Sequence, residues 1–335
     1  MEIFSQFAPS AWAPFRITPW FSERPWGFSD LRPWYDLAAD GKLIGEAWLT
    51  GEQCVVATGV HAGQTLGALF AENAEALLGP AAAGSASPLL IKVIFAKEKL
   101  SVQVHPDDAM AQKYGDPRGK TECWYVLDAD AGAQVACGLK PGVTLNDVKA
   151  GIEAGTLENL LNMIPLNREE MIFVDAGTVH SIWPGSILLE TQQYCDLTYR
   201  MYDYGRGREL HIQKSLEATR LVTRAGKIPP RVLPDRTLLM EGDYFCVERI
   251  PVAGSRASTS LPTPNPAAEA EPAPGLQYLF VAAGKARISG ARFEPLKLPM
   301  GGMVAVPAAS PEFEVEDLGG LQLIRITPRW PGIQR

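Results

Sequence analysis

The pattern of apolar and polar positions predicts a mainly β chain with few helices. From Leu89 onward, short β-like runs recur with turn residues between them. These runs are LLIKVIFA, KLSVQVH, ECWYVLD, AQVACGL, EMIFVDAG and SILLETQ. Several short strands at such a spacing indicate a β-sandwich or a β-barrel. Ahead of them, residues 64–79 have apolar positions at helical spacing and end at Gly79-Pro80, which predicts a helix.

The same pattern predicts two β domains. Strand-like runs lie on both sides of residues 253–275, so a second all-β domain is expected at 231–335. Residues 253–275 are rich in Pro, Ala, Ser and Glu and have almost no large apolar side chain, which predicts a long loop inside this domain. The first domain is expected at 1–230. It would begin with an extended segment, residues 11–35, that carries Trp12, Trp20, Trp26 and Trp34.

One helical insertion is predicted inside the first domain, at about residues 141–162. Its apolar residues fall at helix-like offsets. Thr144, followed by Asp147 three residues later, is typical of a variant capping box at a helix start.

Composition and charge narrow the class of protein. The chain has 335 residues, of which 46% are hydrophobic and 21% charged, as is ordinary for a globular protein with a sizeable core. At about 100–200 residues per domain, this length fits two domains. The net charge of -7 argues against a nucleic-acid binder, which would carry a basic face. An anionic substrate would therefore need a local cluster of Lys and Arg.

Cysteine use and hydropathy predict a cytoplasmic protein. The five cysteines are widely spaced and no two form a CxxC pair, which indicates reduced thiols. The longest apolar stretch, around Leu89 to Ala96, contains Lys92 and is far shorter than the roughly 20 residues of a membrane helix. We expect neither nucleic acid nor membrane as a partner.

The densest chemical signal lies in the run from Leu100 to Asp108. Gln103 and His105 are two apart in a β-like run, so their side chains point to the same face of a strand. Later strand candidates offer Glu122 and His180. Two imidazoles, a carboxylate and an amide oxygen make a ligand set that suits zinc, with cobalt, manganese or iron as alternatives. Water or a substrate oxygen would take an open position, as in catalytic sites.

Each of these residues also has an ordinary structural interpretation. A Gln-x-His pair is common at a half-exposed strand edge, Glu122 alone is typical of a surface charge, and His180 alone of a hydrogen-bonded core histidine. Spacing along the chain does not show that the three segments meet in space.

Four further polar residues stand in runs that are otherwise strand-like. They are Lys120, Glu190, Asp196 and Arg200. Carboxylates, cations and a metal ion together suit proton transfer next to a carbonyl group of an anionic substrate. The guanidinium group of an arginine matches the geometry of phosphate.

At this point the chain resembles a known family, the type I mannose-6-phosphate isomerases, which are zinc-dependent enzymes with a cupin fold. The resemblance rests on segments spread over most of the chain, and its length is similar to the compact bacterial form. Those segments are Arg24-Pro-Trp-Gly27, Gly45-Glu-Ala-Trp48, Leu100–Asp108, Gly119-Lys-Thr-Glu122, Ala176-Gly-Thr-Val-His180, and Glu190 through Arg200 with the following Met-Tyr-Asp-Tyr.

The resemblance implies a role for each matching residue. It implies one zinc ion in the first domain and these ligands: Gln103, His105, Glu122 and His180. Arg200 matches the family's active-site arginine and, with Lys120, is expected to bind the substrate where its phosphate or the developing oxyanion lies. Ser101 and Lys120 match positions that contact the substrate, Lys120 also being proposed as an acid/base. Glu190 and Asp196 match acidic residues proposed for proton transfer or ring opening, and the identity of the base stays open.

The resemblance also implies two cupin-like β-barrel or jelly-roll domains, of which only the first binds metal. No histidine occurs after His211, so the second domain is expected to be metal-free. His61 and His211 match no ligand position and are interpreted as structural. The chain departs from the family at Thr121, where many members have Pro, and from the common cupin signature, where Gln103 would be His.

The implied reaction interconverts mannose 6-phosphate and fructose 6-phosphate through a cis-enediol. The expected partner is therefore a small-molecule sugar phosphate. Two alternatives stay open, a related cupin isomerase with another sugar-phosphate substrate and a metal-containing sugar-binding cupin without turnover. An iron- and oxygen-dependent cupin oxidoreductase is disfavoured by the neutral ligand Gln103. The sequence does not choose between a monomer and a homodimer.

Overall fold

The structure is a computed structural model, and it describes residues 10–37, 40–82, 87–252 and 275–329. Residues 253–274, which make up all of the predicted loop at 253–275 except its last residue, lie outside the described residues. The prediction of a long loop there is therefore not examined by the structure.

Strands dominate the described part of the chain, as the sequence predicts. In the first half they are β1 Phe15–Thr18, β2 Trp20–Phe28, β3 Ile44–Trp48, β4 Val55–Val56, β5 Leu89–Ala96, β6 Val102–Val104, β7 Glu122–Ala129, β8 Gln134–Leu139, β9 Leu161–Pro165, β10 Met171–Val174, β11 His180–Ile182 and β12 Ser186–Gln193. The remainder are β13 Tyr199–Tyr202, β14 Gly226–Ile228, β15 Arg231–Val232, β16 Thr237–Glu241, β17 Phe245–Ile250, β18 Gln277–Ala283, β19 Lys285–Gly290, β20 Phe293–Pro299, β21 Met303–Val306, β22 Glu314–Asp317 and β23 Gln322–Pro328.

Helices are few and short. The α-helices are α1 Leu66–Leu78, α2 Asp108–Lys113, α3 Leu145–Glu153 and α4 Ile212–Ala218, with 3-10 turns at Pro80–Ala82 and Leu157–Leu160. The predicted helix before residue 79 is confirmed as α1, and the predicted helical insertion is α3 with the following 3-10 turn. The capping box is also confirmed, because Thr144 and Asp147 exchange side-chain-to-backbone hydrogen bonds at the start of α3. No helix of the described residues is long and apolar enough to cross a membrane.

The chain forms two compact units, each of which contains more than one stretch of the sequence. One unit contains Phe21–Trp48 and Leu89–Pro229, and the other contains Met1–Trp20, Leu49–Pro88 and Pro230–Arg335. One boundary lies near residue 230, and residues 49–88 belong to the unit that contains 230–335, while the division into domains at 1–230 and 231–335 stays a prediction. The physical reason for this grouping is strand pairing, since β1 hydrogen-bonds to β21 on one side and to β4 on the other. Local sequence patterns do not reveal such long-range pairing.

The first unit, Phe21–Trp48 with Leu89–Pro229, contains two sheets. A seven-stranded sheet has the order β14-β10-β7-β12-β5-β3-β2, and a five-stranded sheet has the order β13-β6-β11-β8-β9. Apolar side chains of the two sheets share one core, with Trp124 and Ile94 from the first and Val135 from the second. The other face of the five-stranded sheet is covered by α3 and α4 through residues such as Val148 and Ala218.

The second unit also contains two sheets. An eight-stranded sheet has the order β15-β16-β17-β23-β18-β21-β1-β4, and a three-stranded sheet has the order β20-β19-β22. Their apolar faces pack together through residues such as Leu279 and Ile288. Both units are therefore mainly β. Within each unit, the two sheets of the described residues face each other across a core of their own.

The predicted extended segment at residues 11–35 is extended only at 15–18 and 20–28, with turns on either side, and its rings differ in burial. It supplies β1 and β2. Trp26 and Trp34 are buried, whereas Trp20 is 42% exposed. Two of the four tryptophan rings, Trp26 and Trp34, therefore pack in the interior, while Trp12 is half-buried.

Candidate active site

Strand register brings the four predicted metal ligands into one place. Gln103 lies in β6, and it pairs directly with His180 at the start of β11. His105 follows β6 directly, and Glu122 is the first residue of β7. The strands come from segments far apart in sequence, so the pairing and not the spacing assembles the group.

The side chains of His105, Glu122 and His180 form a compact buried group. Nε2 of His105 lies 3.6 Å from one carboxylate oxygen of Glu122, and Nε2 of His180 lies 3.4 Å from the other. One ligand atom from each residue lies within 4.8 Å of the others. All three residues are at most 1% exposed. This arrangement of nitrogen and oxygen donors is compatible with a bound metal ion.

Hydrogen bonds fix the orientation of both histidine rings. Nδ1 of His105 lies 2.8 Å from the carbonyl oxygen of Leu197, and Nδ1 of His180 lies 2.9 Å from that of Thr178. A carbonyl oxygen only accepts, so each Nδ1 carries the proton and each Nε2 presents a lone pair in the neutral ring, which Lys120 or Gln103 approaches at 3.0 or 3.3 Å. Both lone pairs are then available for a metal, which is the usual way in which surrounding groups orient histidine ligands.

The electrostatics of this group also fit a cation. Burial lowers the pKa of His180 to about 4, while burial and the charge of Lys120 hold the pKa of His105 well below its ordinary value. Both rings are therefore neutral near pH 7, as metal binding requires. Oε1 of Glu122 is fully buried and accepts no hydrogen bond from the described residues. A buried carboxylate oxygen without a donor is costly, and a metal ion would satisfy it.

Gln103 lies beside the group, and Ser101 and His180 contact its side-chain amide. Its Oε1 accepts a hydrogen bond from the hydroxyl of Ser101 at 3.1 Å, and its Nε2 lies 3.3 Å from Nε2 of His180. The contact with His180 uses the N–H side of the amide, whereas a metal would need the oxygen side. A half-turn of the amide exchanges the two. Gln103 is therefore placed to act as a ligand in one of its two amide orientations.

A cavity of about 450 Å³ opens next to this group within the first unit. All the predicted substrate and acid/base residues line it: Ser101, Lys120, Glu190, Asp196 and Arg200. Lys120 joins the cavity to the metal group, because its Nζ lies 2.6 Å from Glu122 and 3.0 Å from Nε2 of His105. Burial would lower the pKa of Lys120, but Glu122 and Glu190 outweigh it and raise the pKa.

The two acidic candidates differ in environment. Glu190 is 4% exposed, and its Oε1 accepts a hydrogen bond from the indole of Trp124 at 3.2 Å. Burial raises the pKa of Glu190 despite the nearby charge of Lys120. Asp196 is half exposed and accepts a hydrogen bond from Lys92 at 2.8 Å. Burial would raise the pKa of Asp196 as well, but the attraction of Lys92 outweighs it and lowers the pKa.

Comparison with known proteins agrees with this geometry. Residues 15–134 match the family model for the catalytic domain of type I phosphomannose isomerase. A mannose-6-phosphate isomerase of Streptococcus mutans is 36% identical over 69% of this chain and 76% of its own length. The mannose-6-phosphate isomerase ManA of Bacillus subtilis is 35% identical over 72% of this chain and 80% of its own.

The chain belongs to the type I phosphomannose isomerase family. It is also similar to the crystal structure of a mannose 6-phosphate isomerase from Bacillus subtilis, with a TM-score of 0.81 and 28% identity over 94% of this chain and 99% of that chain. Membership of this family makes the chain an isomerase, and the cupin-like fold expected from the sequence is confirmed.

Sequence reasoning missed several residues of this isomerase cavity. Lys92 is buried in the centre of β5, where it contacts Asp196 and lies 4.5 Å from the ring centre of Trp48. Glu46 of β3 accepts hydrogen bonds from Arg24 and from Trp48, each at 2.8 Å. The signal was a charged residue inside a strand with no exposed face.

Proposed function

We propose that this protein interconverts mannose 6-phosphate and fructose 6-phosphate with one zinc ion in its first unit. The buried group of His105, Glu122 and His180 beside the cavity carries the proposal, with Gln103 as the fourth ligand. The proposal is supported by the family to which the chain belongs and by relatives that are named mannose-6-phosphate isomerase. Zinc suits two imidazoles and two oxygen donors.

A bound zinc ion would supply polarisation of the substrate's carbonyl group and stabilisation of the negative charge that develops on its oxygen. The protein's own groups would move the protons. A base removes the proton from C2 of the open-chain aldose while O1 gains a proton, which gives a cis-enediol. The proton then returns at C1 as the O2 hydroxyl loses its own, which gives the ketose.

Three side chains of the cavity are candidates for these proton transfers. A carboxylate with a raised pKa holds and releases a proton near neutral pH more readily than an ordinary one, which favours Glu190 as the C2/C1 base. Asp196 stays ionised beside Lys92, which suits a role in ring opening. Lys120, as an ammonium group, can stabilise negative charge or donate a proton at the oxygens.

The test combines metal removal with turnover. The protein is treated with EDTA, then restored with zinc, and fructose 6-phosphate is measured after addition of mannose 6-phosphate. We expect activity to disappear and then return with one zinc ion per chain. A His180→Ala variant should bind no zinc and stay inactive, while an exposed Glu153→Gln variant should behave as the unmodified protein. A restored protein that does not turn over mannose 6-phosphate would contradict the proposal.

Two further properties belong to the same proposal. Other aldose phosphates, and cobalt, manganese and iron in place of zinc, are run in the same assay to identify the preferred substrate and metal. A cytoplasmic location is proposed from the five free cysteines, of which four are buried.

A further inference from the structure

The cavity is lined by three guanidinium groups, those of Arg24, Arg200 and Arg208. Arg24 lies in β2, Arg200 in β13, and Arg208 in the loop that follows β13. They are close enough to interact, since burial first, and then repulsion by Arg208 and Arg24, lowers the pKa of Arg200. Carboxylates compensate two of these like charges, since Arg24 pairs with Glu46 and Arg208 with Asp203, and Arg200 forms no ion pair among the described residues.

The guanidinium groups of Arg24 and Arg208 each pair with a carboxylate and keep further N–H donors that these contacts do not use. Arg24 donates to the carbonyl oxygen of Glu23 at 3.1 Å and to Glu46 at 2.8 Å. Arg208 donates from Nε to the buried Asp203 at 2.8 Å, and its Nη2 contacts the same carboxylate. These pairs fix the positions of the two arginines, and a guanidinium has five N–H donors, so several stay available to a ligand.

The guanidinium group of Arg200 has a buried N–H donor for which the described residues provide no acceptor. Its Nη1 donates to the carbonyl oxygen of Glu209 at 2.9 Å. Its Nε is buried and has no hydrogen-bond partner among the described residues. A buried N–H without an acceptor is costly, and an anionic oxygen in the cavity would satisfy it.

Lys120 and the arginines approach the metal group differently, because Arg200 faces Gln103 across the β6–β13 strand pair while Arg24 and Arg208 pair with Glu46 and Asp203. Lys120 contacts His105 and Glu122, whereas the charges that act on Arg200 are those of the loop at 203–209 and of Arg24. Asp196 accepts a hydrogen bond from Lys92, and the charges of Lys120 and Arg24 also help to lower its pKa. A sugar phosphate also has two different polar ends, a carbonyl group and a phosphate, which are separated by its carbon chain.

We propose that Arg24, Arg200 and Arg208 together bind the phosphate group of the substrate, so that Arg24 and Arg208 determine specificity for phosphorylated sugars. The inference rests on the proposed function and deepens it. It assigns Lys120 to the metal end of the cavity and not to the phosphate. Arginine is suited to this role because its planar group forms paired hydrogen bonds to phosphate oxygens.

The test compares Arg24→Gln and Arg208→Gln with a matched control, Arg206→Gln. Arg206 lies in the same loop as Arg208 and forms an ion pair with the same Asp203, at 3.6 Å, but it is not among the lining residues. In zinc-loaded protein, the KM for mannose 6-phosphate and the dissociation constant of inorganic phosphate are measured, the latter by calorimetry. We expect both to rise about tenfold or more in the two variants, with a smaller change in kcat, and to stay unchanged in the control.

Folding is checked separately, because both arginines form partly buried ion pairs. Zinc content and the thermal midpoint identify a folded variant, and Arg24→Lys and Arg208→Lys retain the ion pairs where the glutamine variants do not fold. The lysine variants should also bind phosphate more weakly, because an ammonium group lacks the paired geometry of arginine. A Lys120→Gln variant should lose turnover and keep the phosphate affinity.

The outcomes separate the two proposals. If the unmodified protein does not convert mannose 6-phosphate but phosphate binding still falls in the Arg24 and Arg208 variants, the proposed function is wrong and the anion site stands. If the protein converts its substrate and both folded variants keep the original KM and phosphate affinity, the inference is wrong. Loss of phosphate binding in Lys120→Gln alone would place the phosphate beside the metal group and would also overturn it.

Discussion

At the scale of single residues, the candidate site depends on how burial changes the charge of its side chains. His105 and His180 are kept neutral by burial, and their Nδ1 atoms are tied to carbonyl oxygens. The carboxylate of Glu122 is buried and forms an ion pair with Lys120. A buried neutral histidine therefore has two consequences, since it is ready to bind a metal and it resists protonation when the metal is absent.

The first prediction concerns acid stability of the metal-free protein. The folded-state pKa of His180 is about 4 and its ordinary value is 6.5. Between these values the unfolded chain binds a proton that the folded chain does not, so the free energy of unfolding decreases as pH falls through this window. For this one group the slope approaches about 1.4 kcal/mol per pH unit, and His105 acts in the same direction. Urea unfolding of EDTA-treated protein at several pH values between 7 and 4.5 measures it.

The control for this prediction is His180→Gln, which removes the titrating ring. The variant should lose part of the pH dependence of stability between pH 6.5 and 4, whatever its stability at pH 7. Equal slopes in the variant and the unmodified protein would show that His180 does not remain neutral in the folded state.

The second prediction at this scale concerns Glu190. A Glu190→Gln variant keeps an oxygen that accepts the hydrogen bond of Trp124, but it has no carboxylate to move a proton. We expect kcat to fall by about 10²–10⁴ with zinc content unchanged, because Glu190 is not one of the proposed ligands. Steady-state kinetics and metal analysis of the variant measure the two quantities. A variant with kcat within a factor of about three of the original would assign the base to another residue.

At the scale of elements, the loop before β7 positions Lys120 and Glu122 through a close backbone approach. The amide of Gly119 donates to Asp108 at 2.7 Å, and the amide of Lys120 donates to the carbonyl oxygen of Pro106 at 2.9 Å. A Cβ at Gly119 would lie 2.4 Å from the carbonyl carbon of Asp107, a distance that requires the backbone to move. This approach ties the segment of His105 to that of Glu122.

The third prediction follows from that approach. A Gly119→Ala variant should bind zinc about tenfold more weakly or worse, because the segments that carry His105 and Glu122 are pushed apart. Gly115→Ala is the matched control in the same loop. Gly115 has a φ of +91° with open space around it, so alanine there costs conformational energy but displaces no ligand segment. Competition with a zinc chelator should show normal affinity for the control, and equal affinities in the two variants would contradict the argument.

Local elements of this fold could be predicted from the sequence, whereas contacts between distant strands could not. The helices α1 and α3 were predictable because Gly79-Pro80 and the pair Thr144 and Asp147 act locally. The convergence of Gln103 with His180 was not, because it depends on the register of strands 77 residues apart. Residue types suggested these candidate ligands, and the resemblance to a known family implied that they converge. It did not supply Lys92 or Arg208, whose contacts with Asp196 and Asp203 are visible only in three dimensions.

At the scale of the whole molecule, the chain passes between its two units more often than the sequence suggested. The first unit is interrupted by residues 49–88, which belong to the second. The ends of that interruption are close in space, because β3 and β5 are antiparallel neighbours with Trp48 opposite Lys92. The interrupting segment is thus an excursion from what would otherwise be a hairpin.

The last prediction tests these units by dissection. A fragment 1–230, the first domain expected from the sequence, retains β1 and β4 but lacks β21, the partner of β1. Its unpaired edge and the apolar side chains of α1, such as Leu66 and Leu69, would be left uncovered, so we expect it to aggregate. A fragment that joins Trp48 to Leu89 through a linker of about five Gly and Ser residues, and ends at Pro229, keeps both sheets of the first unit complete. It should unfold cooperatively and bind zinc in a one-to-one ratio. If 1–230 instead proved the more stable and soluble fragment, the strand pairings of β1 would contribute little and the simpler domain division would be the correct one.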